Sequence, residues 1–118
     1  MIAEGLSLLA EALATAHKTG ERFYEAELHR LMGDLLLEEV PLNVSEAENS
    51  FSRALDVARR QEAKSLELRA ATSLARLWGE QGRRGDARRL LSPIYGWFTE
   101  GFDTADLIDA KALLDQLV

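Results

Sequence analysis

The sequence predicts an all-α fold built from antiparallel helix pairs, and three features support that prediction. Leucine and alanine are abundant while only 7% of the 118 residues are aromatic, a composition that favours helix over sheet. Apolar residues recur every three or four positions, as on one face of an α-helix. Residues 5–33 also align without gaps on residues 47–75, an offset of 42 residues. Helical repeats of this kind form solenoids, which usually bind other proteins.

The first three helices are predicted from their apolar stripes and their end signals. Gly20 closes the first helix and Pro41 ends the second, since proline cannot continue the hydrogen-bond ladder. Ser45 and Glu48 form an S-x-x-E capping box that starts the third. The predicted spans and stripes are 2–18 with Leu6, Leu9, Leu13 and Ala16; 22–39 with Leu28, Leu31, Met32 and Leu35; and a third helix with Ala47, Phe51, Ala54, Leu55 and Ala58.

The last three helices are separated by two glycine-containing turns. Gly82 and Gly85 are available for positive φ in the first of these turns. Pro93 predicts a kink or an early stop in the fifth helix, and Asp103 or Thr104 caps the sixth. The predicted helices and stripes are 65–80 with Leu66, Ala70, Leu74, Leu77 and Trp78; a helix from Asp86 with Ala87, Leu90, Leu91, Ile94 and Trp97; and a sixth with Leu107, Ala110, Leu114 and Leu117.

The spacing of small and large residues in these helices resembles the tetratricopeptide repeat. One set of positions in this phase is Ala75, Trp78, Gly82, Ala87, Leu91 and Ile94. Small residues let two antiparallel helices approach closely, and a large residue fills the remaining gap. In the preceding unit, Gly33 holds the small position of one helix and Phe51 the large position of the next. The resemblance covers residues 5–98. It implies the following units of about 42 residues: a half repeat 1–19, repeats 22–62 and 65–99, and a C-terminal capping helix 103–118.

A second resemblance concerns the parent protein. The strings ELHRLMGDLLL and LLSPIYGWFTEGFDTADLIDAKALLDQL are similar to the C-terminal region of large bacterial multidomain signalling proteins. These are described as adenylate/guanylate cyclases or transcriptional regulators, and they carry a P-loop ATPase module before a tetratricopeptide-like array. The resemblance implies a cytoplasmic fragment of such a protein, with a role in protein–protein interaction or intramolecular regulation. A domain that senses a small effector is the alternative.

The first helix matches the second helix of a pair, so we expect a preceding partner helix that lies outside this chain. Its uncovered face then predicts a possible homodimer. The expected partners are a protein, a peptide or other domains of the same parent chain. No apolar run approaches the roughly 20 residues that cross a bilayer, so a membrane is not expected as a partner.

Charge is unevenly distributed along the chain. Residues 1–50 carry 3 basic and 10 acidic side chains, residues 51–91 carry 10 and 5, and residues 92–118 carry 1 and 5. The basic middle suggests nucleic acid, but the net charge is -6 and no aromatic residues interleave with the arginines to stack bases. We therefore predict no nucleic-acid binding. The remaining interpretation of the basic segment is an electrostatic contact with an acidic protein surface.

No catalytic or cofactor-binding pattern stands out in the sequence. There is no cysteine, and the only histidines, His17 and His29, lack metal-ligand spacing. We predict that the chain is not an enzyme and holds no cofactor or metal. Four aromatic residues either seat the C-terminal helix or form an exposed anchor for a partner: Tyr95, Trp97, Phe98 and Phe102.

In the tetratricopeptide pattern, the first helix of each pair lines an inner surface that binds ligands. By this resemblance the partner-binding residues are Glu27, Arg30, Asp34, Arg69, Thr72 and Arg76, with Leu37 on the same face. The arginines suit a carboxylate or a peptide backbone. The alternative is ion pairing within one helix, such as Arg30 with Asp34.

Overall fold

The computed structural model describes residues 2–19, 24–39 and 44–118, and over these residues the fold is all-helical, as predicted. The described residues form six helices: α1 (Ile2–Thr19), α2 (Glu25–Glu39), α3 (Val44–Arg60), α4 (Lys64–Glu80), α5 (Arg84–Gly96) and α6 (Ala105–Gln116). Gly20 and Pro41, the predicted stop signals of the first two helices, lie outside the described residues. None of the described helices combines the length and apolar character that crossing a bilayer requires.

Helix α4 is the centre of the fold. It contacts α2, α3, α5 and α6, whereas α1 contacts α2 alone among the described helices. Leu68 and Leu74 are buried on α4, and the small residues Ala70, Ala71 and Ala75 let the neighbouring helices approach it closely. The main apolar core therefore joins α3, α4, α5 and α6 around this helix.

Gly33 and Phe51 confirm the predicted pairing of a small and a large residue between α2 and α3. Phe51 is fully buried, and its ring covers Gly33 so closely that a Cβ atom there would lie 2.5 Å from ring atom Cε1. A side chain at position 33 therefore cannot coexist with the ring in this place. The glycine sets the distance between the two helices.

The predicted capping box at Ser45 and Glu48 is wrong. Helix α3 begins at Val44, so Ser45 lies inside it rather than before it. The carboxylate of Glu48 instead accepts hydrogen bonds from Nε1 of Trp78 and Nη1 of Arg83, at 2.5 and 3.1 Å. A charged guanidinium is a stronger partner for a carboxylate than a backbone N–H. Glu48 thus ties α3 to the α4–α5 turn.

Pro93 does not stop α5, contrary to one expectation, because the helix continues to Gly96. The proline is exposed, so water can reach the Arg89 carbonyl that Pro93, lacking an N–H, cannot bond. Thr104 occupies the N-cap of α6 as predicted, but its hydroxyl donates to the Gly101 carbonyl and makes no side-chain cap.

The glycine predictions for the turns hold in part. Gly82 has a φ of +82°, as expected for the turn between α4 and α5. Gly85 was expected in the same turn but lies within α5, with no positive φ. Two apolar stripes also differ from expectation: Leu31 on α2 is 36% exposed, while Leu113 on α6 is buried together with the predicted Leu107.

Candidate functional site

The polar faces of α2, α4 and α6 enclose a groove with a cavity of about 270 Å³. Five of the six predicted partner-binding residues line it: Glu27, Arg30, Arg69, Thr72 and Arg76. The sixth, Asp34, is ion-paired to Arg30 at the side of the groove. Three residues that the sequence prediction missed complete the lining: Ser73 on α4, and Asp106 and Asp109 on α6.

Helical spacing explains why these residues meet. Residues 69, 72, 73 and 76 recur at the three- and four-residue steps that place side chains on one face of α4. Residues 27, 30 and 34 do the same on α2, and residues 106 and 109 on α6. Leu37, which was expected on the same face of α2, packs against the apolar core instead and does not line the groove.

Arg30 is held by two carboxylates of its own helix. Its Nε and Nη2 atoms donate to Oε1 of Glu27 at 3.1 and 2.6 Å, and Nη1 donates to Oδ2 of Asp34 at 2.8 Å. The alternative of ion pairing within α2 is therefore realised. Burial raises the pKa of Asp34 above its usual value, although the nearby Arg30 guanidinium acts in the opposite direction.

Arg69 links all three helices of the groove. Its Nε donates to Oδ2 of Asp106 on α6 at 2.9 Å, and its Nη1 lies 3.7 Å from Oε1 of Glu27 on α2. The Arg69 side chain is nevertheless 42% exposed. Exposed ion pairs of this kind contribute only about 0.2–1 kcal/mol each, because water screens both charges. An incoming carboxylate can therefore replace Asp106 at little cost.

Arg76 repeats this arrangement two turns further along α4. Its Nη2 donates to Oδ1 of Asp109 at 2.8 Å, and both side chains are exposed. Between the two arginines lies Thr72, which is buried and donates its hydroxyl hydrogen to the Leu68 carbonyl at 2.7 Å. The Thr72 hydroxyl oxygen can then act toward the groove only as an acceptor.

Asp106 and Asp109 were missed because α6 was interpreted only as a capping helix. A signal for them was present, since both aspartates lie outside the Leu107 and Ala110 stripe of α6. Arg69 and Arg76 are likewise outside the apolar stripe of α4. Only the packing of α6 against α4 places the opposite charges within hydrogen-bond distance.

The predicted aromatic cluster divides into two parts. Tyr95 and Phe98 are partly buried and pack against the core, as expected for residues that seat α6. Trp97 is 57% exposed and Phe102 47% exposed. Nζ of Lys64 lies 5.2 Å from the centroid of the Trp97 ring, which gives a cation–π contact between the start of α4 and the C-cap of α5.

Neither histidine belongs to the groove. His29 is on α2 and is partly buried, while the side chain of His17 lies outside the described residues. Within the described part of the chain, no group of three His, Cys, Asp or Glu side chains is arranged to hold a metal ion.

The chain matches no protein-family model, and it has no significant similarity to a curated protein or to a solved structure. The tetratricopeptide resemblance and the implied parent protein therefore remain predictions from the sequence.

Proposed function

We propose that this chain is a non-catalytic protein-interaction module of tetratricopeptide-like helix pairs, acting in the cytoplasm at the C-terminal end of a bacterial multidomain signalling protein. The groove between α2, α4 and α6 is its binding site. The observation that carries the proposal is the position of Arg69, which contacts acidic residues on both neighbouring helices in a groove lined by five of the six predicted residues.

The pattern of helix contacts supports an array of helix pairs. Each helix contacts the next one in sequence, and the alternate helices α2, α4 and α6 also contact each other in order. Stacked pairs produce this pattern, because the first helix of each pair packs on the first helix of the next. Such stacking creates one continuous surface from successive first helices.

The lining of the groove indicates the kind of partner. Three arginines and four carboxylates meet there, so the groove offers both charges rather than a uniform field: Arg30, Arg69, Arg76, Glu27, Asp34, Asp106 and Asp109. A peptide segment that carries both acidic and basic side chains fits this alternation. Its carboxylates would bind Arg69 and Arg76, and its cations would bind the aspartates released from them.

The test exchanges the partners of the ion pairs without changing the net charge. One variant carries Arg69→Asp, Asp106→Arg, Arg76→Asp and Asp109→Arg, so each contact between α4 and α6 is kept with reversed polarity. Peptides are selected by display on the wild-type chain and then measured by fluorescence anisotropy on both proteins. We expect the exchanged variant to bind them at least about tenfold more weakly, a difference of about 1.4 kcal/mol.

Equal affinity of the selected peptides for both proteins would exclude the groove as the binding site. Circular dichroism and thermal melting establish that the exchanged variant is folded. A second control, Arg84→Glu with Arg88→Glu on the distant helix α5, keeps the groove intact and is expected to retain binding.

Sensing of a small effector is the second candidate, and the size of the cavity favours it. A volume of about 270 Å³ is near the lower end of the roughly 300–1,000 Å³ of small-molecule sites. Three guanidinium groups at one cavity suit a compact polycarboxylate. Stabilisation of the wild type by citrate in a thermal shift assay, absent in Arg69→Gln with Arg76→Gln, would favour this candidate over peptide binding.

The position within a larger protein has its own test, the sequence of the surrounding reading frame. We expect coding sequence for a P-loop ATPase module upstream of this chain. An in-frame stop codon directly before Met1 would contradict it.

A further inference from the structure

A second set of arginines lies on α5, far from the groove in the chain and with few intramolecular partners. Arg84 and Arg88 are exposed and make no ion pair with any described residue. Asp86 is the only acidic residue of this helix, and it is shared by Arg83 and Arg89. Four arginines on or beside the first turns of α5 thus face one carboxylate, which leaves a strong local excess of positive charge.

These charges lie on the face of α5 that no other part of the described chain covers. The buried residues of the helix, Ala87, Leu91 and Ile94, point toward α4 and α6, the two helices that contact α5. The opposite side is exposed along its whole length. We call it the α5 arginine face, and it consists of Arg84, Gly85, Arg88, Arg89, Ser92 and Pro93.

The relief of this face suits another helix. Gly85, Ser92 and Pro93 are small or compact, and with Arg88 and Arg89 they line a shallow depression of about 370 Å³. The Arg89 guanidinium lies back over Gly85, with its terminal nitrogens 3.5 Å from the place a Cβ atom there would occupy. Small residues along one helix allow a partner backbone to approach closely.

The arginines at positions 84 and 88 define the spacing of the partner's charges. Residues four apart on a helix lie about 6 Å apart along its axis and on the same side. A second helix with carboxylates four residues apart therefore presents them at the same interval. Guanidinium groups bind such carboxylates with charge-assisted hydrogen bonds.

We propose that the α5 arginine face docks an acidic helix of another protein, with carboxylates four residues apart. Charge complementarity selects this occupant, since the face is cationic and contains no large apolar residue. Its six residues include no aromatic side chain for stacking nucleic-acid bases. The site is separate from the α2–α4–α6 groove, whose mixed charges select a different partner.

The test uses an alanine-based helical peptide of about 20 residues with glutamate at every fourth position, and a matched peptide with glutamine instead. In fluorescence anisotropy at about 50 mM NaCl, we expect the glutamate peptide to bind the wild-type chain and the glutamine peptide not to bind. Arg84→Glu with Arg88→Glu should weaken binding at least about tenfold.

The matched control is Arg53→Glu with Arg60→Glu on α3. It makes the same change in net charge at two other exposed arginines that lack an ion-pair partner among the described residues. This variant, and the charge-exchanged groove variant, should keep the affinity within about twofold. Raising NaCl to about 300 mM should weaken the peptide complex because both surfaces are exposed.

Three outcomes would overturn the proposal. The first is an absence of glutamate-peptide binding to the folded wild type, or an equal loss in the α3 and α5 variants. The second is tighter binding of a labelled oligothymidine than of the peptide, lost in the α5 variant, which would assign the face to nucleic acid. The third is a dimer by light scattering that becomes monomeric in the α5 variant, which would assign it to a second copy of the chain.

Discussion

Helices α1 and α4 are similar in length and in apolar content but differ completely in packing. Both contain many leucines and alanines, yet α4 has nine buried residues and four neighbouring helices, whereas α1 contacts α2 alone in the described structure. Leu13 is the buried leucine of α1, while Leu8 on the same helix is 65% exposed. The number of neighbouring helices, rather than composition, therefore decides how much of each helix is buried.

This difference should appear first as stability. Phe51→Ala removes a fully buried ring from the core around α4 and should lower the free energy of unfolding by about 3–5 kcal/mol, through lost burial and the cavity left behind. Urea denaturation followed by circular dichroism measures this change. Leu8→Ala on α1 is the control, with an expected change within about 0.5 kcal/mol. A similar cost for the two substitutions would contradict the comparison.

Leucine truncations compare the two helices directly. Leu74→Ala on α4 should cost about 2–5 kcal/mol, and Leu13→Ala on α1 should fall at or below the lower end of that range because Leu13 has fewer neighbours. Hydrogen exchange should show faster exchange throughout the protein for the α4 variant, but only in α1 and α2 for the α1 variant. Uniform acceleration in the Leu13 variant would show that α1 belongs to the same cooperative unit as α4.

The close approach at Gly33 predicts a smaller effect of opposite origin. Gly33→Ala adds a methyl group where the Phe51 ring already lies, and we expect a net loss of about 1–3 kcal/mol despite the better helix propensity of alanine. Gly96→Ala on α5 is the matched control, since nothing lies within 4 Å of its added Cβ atom. Thermal melting of both variants distinguishes crowding from propensity, and equal melting temperatures would disprove the predicted crowding.

The smallest expected effect is a pH dependence of opposite sign at two aspartates. Hydrogen bonds from Arg89 and Arg83 lower the pKa of Asp86, so its contribution to stability is present above its usual pKa of 3.8 and is lost as the pH falls through the lower folded-state value. Burial raises the pKa of Asp34, so the folded state gains stability as the pH falls through that raised value toward 3.8.

The corresponding measurement is thermal denaturation of two variants between about pH 3 and about pH 7. Asp86→Asn should destabilise the protein more at neutral pH than at acid pH. For Asp34→Asn, the stability relative to the wild type should improve as the pH rises. The same trend in both variants would refute one of the two assignments.

Much of the candidate site was predictable from sequence because it depends on helical spacing. The three- and four-residue steps place residues 27, 30 and 34 on one face of α2 and residues 69, 72 and 76 on one face of α4. The carboxylates of α6 were not predicted, because no spacing rule relates Asp106 to Arg69 across 37 intervening positions. The same limit explains the error at Glu48, whose partners Trp78 and Arg83 are 30 and 35 residues away.

The sequence by itself determined the all-helical fold, the approximate helix positions and the pairing of a small Gly33 with a large Phe51. These follow from local periodicity and from residue volume, which a single chain displays directly. The tertiary structure decided which arginines are neutralised, because that depends on which helices become neighbours. Arg69 and Arg76 meet the aspartates of α6, whereas Arg84 and Arg88 point away from every described carboxylate. Coulomb interactions depend on distance in space, and only folding sets that distance.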